Sequence, residues 1–124
     1  MMKRELFRII TIKELENSFL VYITIDKQHP IFDGHFPGNP VLPGVCMVQM
    51  LTDIINSESK ETLVLNEAKI IKFTQTIVPG KVSDLHFEIT KSKLDDTVQV
   101  KATLNSNRGN HFKFSGTFIS AVAV

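Results

Sequence analysis

The sequence predicts an α+β domain in which an antiparallel sheet curves around one buried helix. Three observations predict it. Most of the chain alternates apolar and polar residues, one segment is rich in proline and glycine, and a long apolar run follows that segment directly. With 124 residues and a hydrophobic fraction of 43%, the chain is sized for a single domain, residues 1–124, with a substantial core.

The strand predictions rest on alternation with a period of two residues, which gives each strand one apolar and one polar face. Pro79-Gly80, Asp95-Asp96 and the segment 105–110 carry turn residues between the alternating runs. We therefore expect five or six mostly antiparallel strands. They cover residues 6–12, 19–25, 63–78, 85–89, 98–104 and 112–118.

The segment 30–44 holds four of the five prolines and three of the six glycines, which predicts a stiff, irregular loop. The apolar run 45–55 follows, and with Pro43 near its start it is typical of a helix. Apolar side chains cover most of the circumference of this helix, so we expect it, Val45 included, to be largely buried. Its polar residues form one stripe, made of Gln49, Thr52, Asp53 and Asn56.

The junction between loop and helix is a candidate site. The first N–H groups of a helix lack partners within the helix and can hold an oxygen that gains negative charge. Gly44 would let a ligand approach its N–H closely, and the imidazole of His35 could transfer a proton near neutral pH. Taken alone, however, a loop histidine is more often structural and a polar helix stripe is usually a solvent face.

Composition and spacing argue against several other classes of protein. The formal net charge of +1, with acids and bases mixed, excludes the basic stripe that nucleic-acid binding needs. No apolar run approaches the ~20 residues of a membrane span. The single Cys46 excludes an internal disulfide and suits the cytoplasm. Neither metal-ligand spacing nor a nucleotide-binding motif is present, so we expect no metal and no resident cofactor.

The ordered residues of the loop carry a resemblance to a known family. Residues 35–45, His-Phe-Pro-Gly-Asn-Pro-Val-Leu-Pro-Gly-Val, resemble the signature of the FabZ-type (3R)-hydroxyacyl-acyl-carrier-protein dehydratases, HFPGxPxxPGV. Residues 68–73, Ala-Lys-Ile-Ile-Lys-Phe, with the later Pro79-Gly80, resemble the second motif of that family. The resemblance covers about residues 33–80, and the rare Gly/Pro order makes it specific.

The resemblance implies a hotdog fold, a curved antiparallel sheet around one long helix. It also implies a homodimer or a trimer of dimers with the active site between two chains, and a role in fatty-acid or related lipid biosynthesis. The substrate would be an acyl thioester on the phosphopantetheine arm of acyl carrier protein or coenzyme A. By resemblance, His35 becomes the base at Cα and the Gly44 N–H the donor to the thioester carbonyl. Phe36, Pro43 and Val45 become further substrate-binding residues.

The helix departs from the family pattern at two positions. The family has glutamate where this chain has Gln49, and usually glutamine where this chain has Asp53. Asp53 could supply the acid of a dehydratase while Gln49 orients the substrate. Alternatively, the pair could orient a hydrolytic water in a thioesterase, or the chain could be a catalytically inactive acyl-carrier-binding subunit. Asp33 is another candidate acid, although Asp-Gly pairs more often form turns.

The remaining reactive side chains have simpler interpretations. His29, His86 and His111 lie in or beside polar strand faces, so we expect them to face solvent. Cys46 is expected to pack as a small apolar residue.

Overall fold

The computed structural model describes residues 5–33 and 40–123 of the chain. Six strands and one α-helix account for most of these residues. In chain order they are β1 (Phe7–Glu14), β2 (Phe19–Ile25), α1 (Gly44–Ser57), β3 (Leu63–Phe73), β4 (His86–Leu94), β5 (Thr97–Ser106) and β6 (Gly109–Ser120). Short 3₁₀ turns occupy Pro30–Phe32 and Ala121–Ala123.

The six strands form one sheet in the order β1-β2-β4-β5-β6-β3, and every neighbouring pair is antiparallel. The sheet holds α1 against its inner face, so the hotdog α+β fold is confirmed. Alternation predicted the bounds of β2 to the residue; on its apolar face Val21 and Ile23 are buried, and Phe19 and Ile25 at its ends are partly buried. The predicted turn at Asp95-Asp96 joins β4 to β5, and Leu94 pairs with Thr97 across it.

The core lies between the helix and the inner face of the sheet. Helix α1 contributes side chains from the side opposite its polar stripe, and β2, β4, β5 and β6 contribute alternate residues. Full burial of one such aliphatic or aromatic side chain stabilises the fold by roughly 1.5–3 kcal/mol. The helix residues in the core are Met47, Met50, Leu51, Ile54 and Ile55.

The third predicted strand was too long. We expected it to cover 63–78, but β3 ends at Phe73. The last ladder bond runs from the Thr74 N–H to the carbonyl of His111, two residues from where β6 begins at Gly109. Because the partner strand turns away there, the chain beyond Thr74 has nothing further to pair with and crosses the end of the sheet instead.

This crossing segment explains why the prediction for His111 was wrong. His111 has the same parity as the outward-facing Lys113, yet it is completely buried. The carbonyl of Gln75 lies 3.3 Å from His111 Nδ1, so the segment after β3 covers the ring. Strand alternation predicts on which face of the sheet a side chain lies. It does not predict whether a loop folds over that face.

The other two histidines are partly covered. His86 stacks against Tyr22 with ring centroids 4.9 Å apart, and His29 Nδ1 accepts a hydrogen bond from the Ile31 N–H at the start of the first 3₁₀ turn. Among the described residues, no helix is both long enough and apolar enough to cross a membrane.

Candidate active site at the start of the central helix

The loop that leads into α1 is described from residue 40 onward, so His35 and Phe36 lie outside the described residues. Just before the helix, the chain is held firmly. Leu42 is buried, and its N–H donates to the carbonyl of Ile77 at 2.9 Å. Ile77 is itself fully buried in the segment after β3. The approach to the helix is therefore tied to that segment.

Pro43 occupies the N-cap position with an extended backbone (φ −62°, ψ 144°), and α1 begins at Gly44. No side chain caps this end; instead the Cys46 N–H donates to the Pro43 carbonyl at 3.0 Å. Helix geometry leaves the N–H groups of Gly44 and Val45 without partners inside the helix. These N–H groups also carry the positive end of the helix dipole, which favours a developing negative charge.

Gly44 packs directly against the ring of Phe73. A Cβ placed on Gly44 would lie 2.7 Å from Phe73 Cζ, so a side chain fits there only if the ring moves. Phe73 in turn stacks on Phe112 of the core, with ring centroids 5.5 Å apart. The two motifs of the sequence thus meet at one contact. Phe73 is not among the residues predicted for the site, although its place at the end of the second motif could have identified it.

The outer face of the helix is exposed, and the prediction that Val45 is buried was wrong: its side chain is 75% exposed. Buried residues occupy only one side of α1, and no described element of this chain covers Val45. Gln49 and Asp53 lie on the same exposed face. The Gln49 Nε2 donates to Asp53 Oδ1 at 2.8 Å, so the carboxylate fixes the orientation of the amide.

The other half of the polar stripe has a structural role. The Thr52 hydroxyl donates to the Val48 carbonyl within the helix. Asn56 bonds both backbone groups of Leu63, donating to its carbonyl at 3.0 Å and accepting from its N–H at 2.7 Å. Asn56 thereby fixes the start of β3 against the helix, and only Gln49 and Asp53 remain as candidates for chemistry.

A cavity of about 480 Å³ opens beside these two residues, between α1 and the first strand. Its lining is mainly apolar, with the Gln49–Asp53 pair as its polar part on the helix. Burial raises the pKa of the Cys46 thiol, so Cys46 behaves as a small apolar group. The lining comprises Glu5, Leu6, Phe7, Arg8 and Ile9 from the first strand region, and Cys46, Gln49, Met50 and Asp53 from α1. The contribution of β1 was absent from our sequence predictions.

The structure therefore places Pro43, Gly44, Val45, Gln49 and Asp53 along one helix, from its N-terminal end along its exposed face. Asp33 ends the first 3₁₀ turn, with its side chain exposed and its N–H donating to the Pro30 carbonyl. Within the described part of the chain, no group of His, Cys, Asp and Glu is arranged to hold a metal ion. The site offers helix N–H donors, an amide–carboxylate pair and an apolar cavity.

The chain is similar to proteins of known families. Residues 11–116 match the family model of the ApeI-like proteins, described as ApeI dehydratase. The 3-hydroxyacyl-acyl-carrier-protein dehydratase FabZ of Levilactobacillus brevis is 35% identical over 108 residues, covering 82% of this chain and 71% of the relative. The FabZ of Enterococcus faecalis is 38% identical over 76 residues, 56% of this chain, and the match spans about half (51%) of that relative.

Two solved structures share the fold at low sequence identity. One is the dehydratase heterocomplex ApeI:P from Xenorhabdus doucetiae, with a TM-score of 0.71 and 17% identity over 90% of this chain and 96% of that one. The other is an uncharacterized protein from Erwinia carotovora subsp. atroseptica, with a TM-score of 0.63 and 20% identity over 93% of this chain and 95% of that one.

Proposed function

The chain belongs to the ApeI-like dehydratase family, and we propose on this basis that it eliminates water from a 3-hydroxyacyl thioester. The contact between Gly44 and Phe73 carries the proposal. It joins the two dehydratase-like motifs at the start of a helix whose N–H groups are suited to a thioester oxygen. The apolar cavity beside the exposed face of that helix is suited to part of an acyl chain.

Elimination of water β to a thioester needs a base at Cα and stabilisation of the charge that develops on the carbonyl oxygen. We assign the base to His35 and the stabilising donor to the Gly44 N–H. Phe36, Pro43 and Val45 would contact the substrate at the mouth of the site. Val45 supports this assignment, because an apolar side chain with 75% of its surface exposed at a helix start is available to a ligand or a partner chain.

The leaving hydroxyl also needs a proton, and a neutral amide cannot supply one. We therefore assign the acid to Asp53, with Gln49 as the group that orients the hydroxyl. The 2.8 Å hydrogen bond between them supports this division, because it ties the amide to the carboxylate and leaves both beside the cavity. In this scheme the two helix positions exchange the amide and the acid found in the resembling family.

The surface of one chain also supports an assembly. β3 is an edge strand, and Leu65, Ile71 and Phe73 on its inner face are all at least 38% exposed. An exposed apolar edge is a template for pairing with another strand. We propose that a second copy of this chain pairs along β3 and completes the site, giving a homodimer; a trimer of such dimers remains an expectation.

The same proposal indicates which molecule would carry the acyl group to the site. The acyl group would arrive as a thioester on phosphopantetheine, bound to acyl carrier protein or to coenzyme A, in fatty-acid or related lipid biosynthesis. The protein itself would need no resident cofactor. Its single thiol, Cys46, supports the reducing cytoplasm as its location.

The test is turnover of a 3-hydroxyacyl thioester and of the matching enoyl thioester by the purified protein. His35→Ala and Asp53→Asn should each lower interconversion by about 10²–10⁴-fold, the usual contribution of a positioned acid or base. His86→Ala and Asp96→Asn are matched controls, since both side chains lie outside the cavity lining. Full activity in Asp53→Asn would remove Asp53 from the mechanism, and full activity in His35→Ala would remove the proposed base.

The Gln49–Asp53 pair favours one second candidate, a thioesterase, because an amide held by a carboxylate can orient a hydrolytic water. The same assay separates the two activities. Release of free thiol without interconversion would indicate hydrolysis. Silence on both, with binding of acyl carrier protein retained, would indicate a non-catalytic subunit that works with a different dehydratase chain.

A further inference from the structure

His111 is the only buried polar or charged side chain in the part of the chain that the structure describes, with 0% of its surface exposed. None of the proposed chemistry uses it. It lies near the start of β6, at the end of the sheet where the segment after β3 crosses. A polar ring buried in this way must satisfy both nitrogens within the protein.

The partners of His111 place a proton on Nδ1. Nδ1 lies 3.3 Å from the carbonyl of Gln75, which can only accept, so Nδ1 carries the proton. Nε2 lies 2.7 Å from the Ser106 hydroxyl, which also accepts the Arg108 N–H at 3.0 Å. A hydroxyl can serve Nε2 either as donor or as acceptor, so both ring nitrogens have a partner.

The bond from Nδ1 to Gln75 connects His111 to the proposed site. Gln75 lies two residues before Ile77, which is fully buried. The Ile77 carbonyl accepts the Leu42 N–H at 2.9 Å, and Leu42 lies two residues before Gly44. The path from the ring to the helix start thus consists of two hydrogen bonds and two short pieces of chain.

The backbone bond from the Thr74 N–H to the His111 carbonyl also holds the start of this segment, and it does not depend on the ring. The other side-chain bonds to the segment lie at the surface. The Gln75 side chain donates to the Arg108 carbonyl and the Thr74 hydroxyl bonds to Asn110, both in exposed surroundings where water can replace either partner. The ring of His111 is buried, so its bond to the Gln75 carbonyl is the side-chain bond to this segment that is most shielded from water.

We propose that His111 is a positioning residue: its Nδ1–H holds the segment 75–77, which holds Leu42 and so sets the place of the Gly44 N–H. The consequence for catalysis rests on the proposed dehydratase function, whereas the positioning itself does not. His111 does not line the cavity, and in this proposal it takes no part in proton transfer to the substrate.

Two isosteric variants separate the two ring nitrogens. His111→Asn places an amide near Nδ1 and can still donate to the Gln75 carbonyl, whereas His111→Gln reaches the position of Nε2 and the Ser106 hydroxyl. Each variant loses one hydrogen bond, so their melting temperatures should fall by similar amounts. Ser106→Ala is the control for the Nε2 side, because it leaves the bond to Gln75 in place.

The readouts are amide hydrogen exchange at Leu42, and kcat and KM for the 3-hydroxyacyl thioester. We expect His111→Gln to speed exchange and lower kcat by about tenfold each, the effect of one lost hydrogen bond, with KM nearly unchanged. His111→Asn and Ser106→Ala should keep both values near those of the unmodified protein. Equal exchange in the Asn and Gln variants, or a kcat that simply follows melting temperature, would overturn the proposal.

If the unmodified protein turns over no thioester, the proposed function fails, while the exchange comparison still decides whether His111 positions Leu42. Should either variant fail to fold, nitrogen-15 NMR of the unmodified protein gives a second decision. A ring protonated at Nδ1, with coupling across the bond to Gln75, supports the proposal. A ring protonated only at Nε2 contradicts it.

Discussion

Strands β3 and β6 are neighbours of similar length, yet their apolar residues have opposite fates. They pair antiparallel along almost their whole length, and both turn apolar side chains toward the inner face of the sheet. In β6, Phe112, Phe114 and Phe118 are at most 3% exposed. Their partners in β3 are Phe73, Ile71 and Leu65, which are 38–50% exposed.

The difference comes from position in the sheet. β6 lies between β5 and β3, and its inner-face side chains belong to the same buried cluster as those of helix α1. β3 is an edge strand: the helix contacts it at its two ends, through Asn56 at Leu63 and through Gly44 at Phe73, and leaves the side chains between them largely uncovered. Similar apolar patterns thus place side chains in the core from β6 and leave an exposed apolar surface on β3. The comparison teaches that the pattern of a strand identifies its apolar face, while its neighbours decide whether that face is covered.

The largest expected effect comes from truncating the buried member of a cross-strand pair. Phe118→Ala should lower the free energy of unfolding by about 3–5 kcal/mol, because it leaves a cavity in a packed core. Leu65→Ala, its directly paired partner in β3, should cost about 1 kcal/mol, because its side chain is already partly in water. Guanidinium unfolding at low protein concentration measures both; equal losses would contradict the contrast between the two strands.

The next largest expected effect comes from the close contact between the backbones of β3 and β6. A Cβ on Gly116 would clash with the Glu67 carbonyl oxygen of β3, so Gly116→Ala must push the two strands apart. We expect a loss of about 1–3 kcal/mol in the free energy of unfolding, typical of overpacking. Ser115→Ala, on the opposite face of β6, is the control. An unchanged unfolding midpoint in Gly116→Ala would show that the strands separate freely.

A charge on the exposed inner face of β3 should weaken the proposed dimer without changing the stability of the single chain. Ile71→Lys should convert the proposed dimer to monomers while changing the free energy of unfolding of one chain by under about 0.5 kcal/mol. Ile70→Lys is the matched control, since Ile70 is also half exposed but pairs with Ser115 on the outer face. Sedimentation velocity measures the assembly. Dimers that persist in Ile71→Lys would place the interface elsewhere.

The smallest effect belongs to the turn between β4 and β5, which is part of neither β3 nor β6. Asp95 adopts a positive φ of 55°, which glycine tolerates at lower steric cost. Asp95→Gly should raise the free energy of unfolding by at most about 0.5 kcal/mol. Asp96→Gly, which replaces a residue outside the positive-φ region, should lower it. A thermal midpoint that falls in Asp95→Gly would contradict this account of the turn.

The sequence by itself determined the elements of the fold and the location of the candidate site. Alternation depends on each strand alone, and the Pro-Gly pair at residues 43–44 determines locally where α1 begins. The two motifs identified the family because the Gly/Pro order is rare.

Tertiary structure decided which of these surfaces are covered. It buried His111 under the segment after β3, exposed Val45, and divided the polar stripe into Asn56, which holds β3, and the Gln49–Asp53 pair beside the cavity. Burial is a property of neighbours that are distant in the chain. The periodic pattern of apolar residues along one strand or helix therefore does not predict which other part of the chain packs against it.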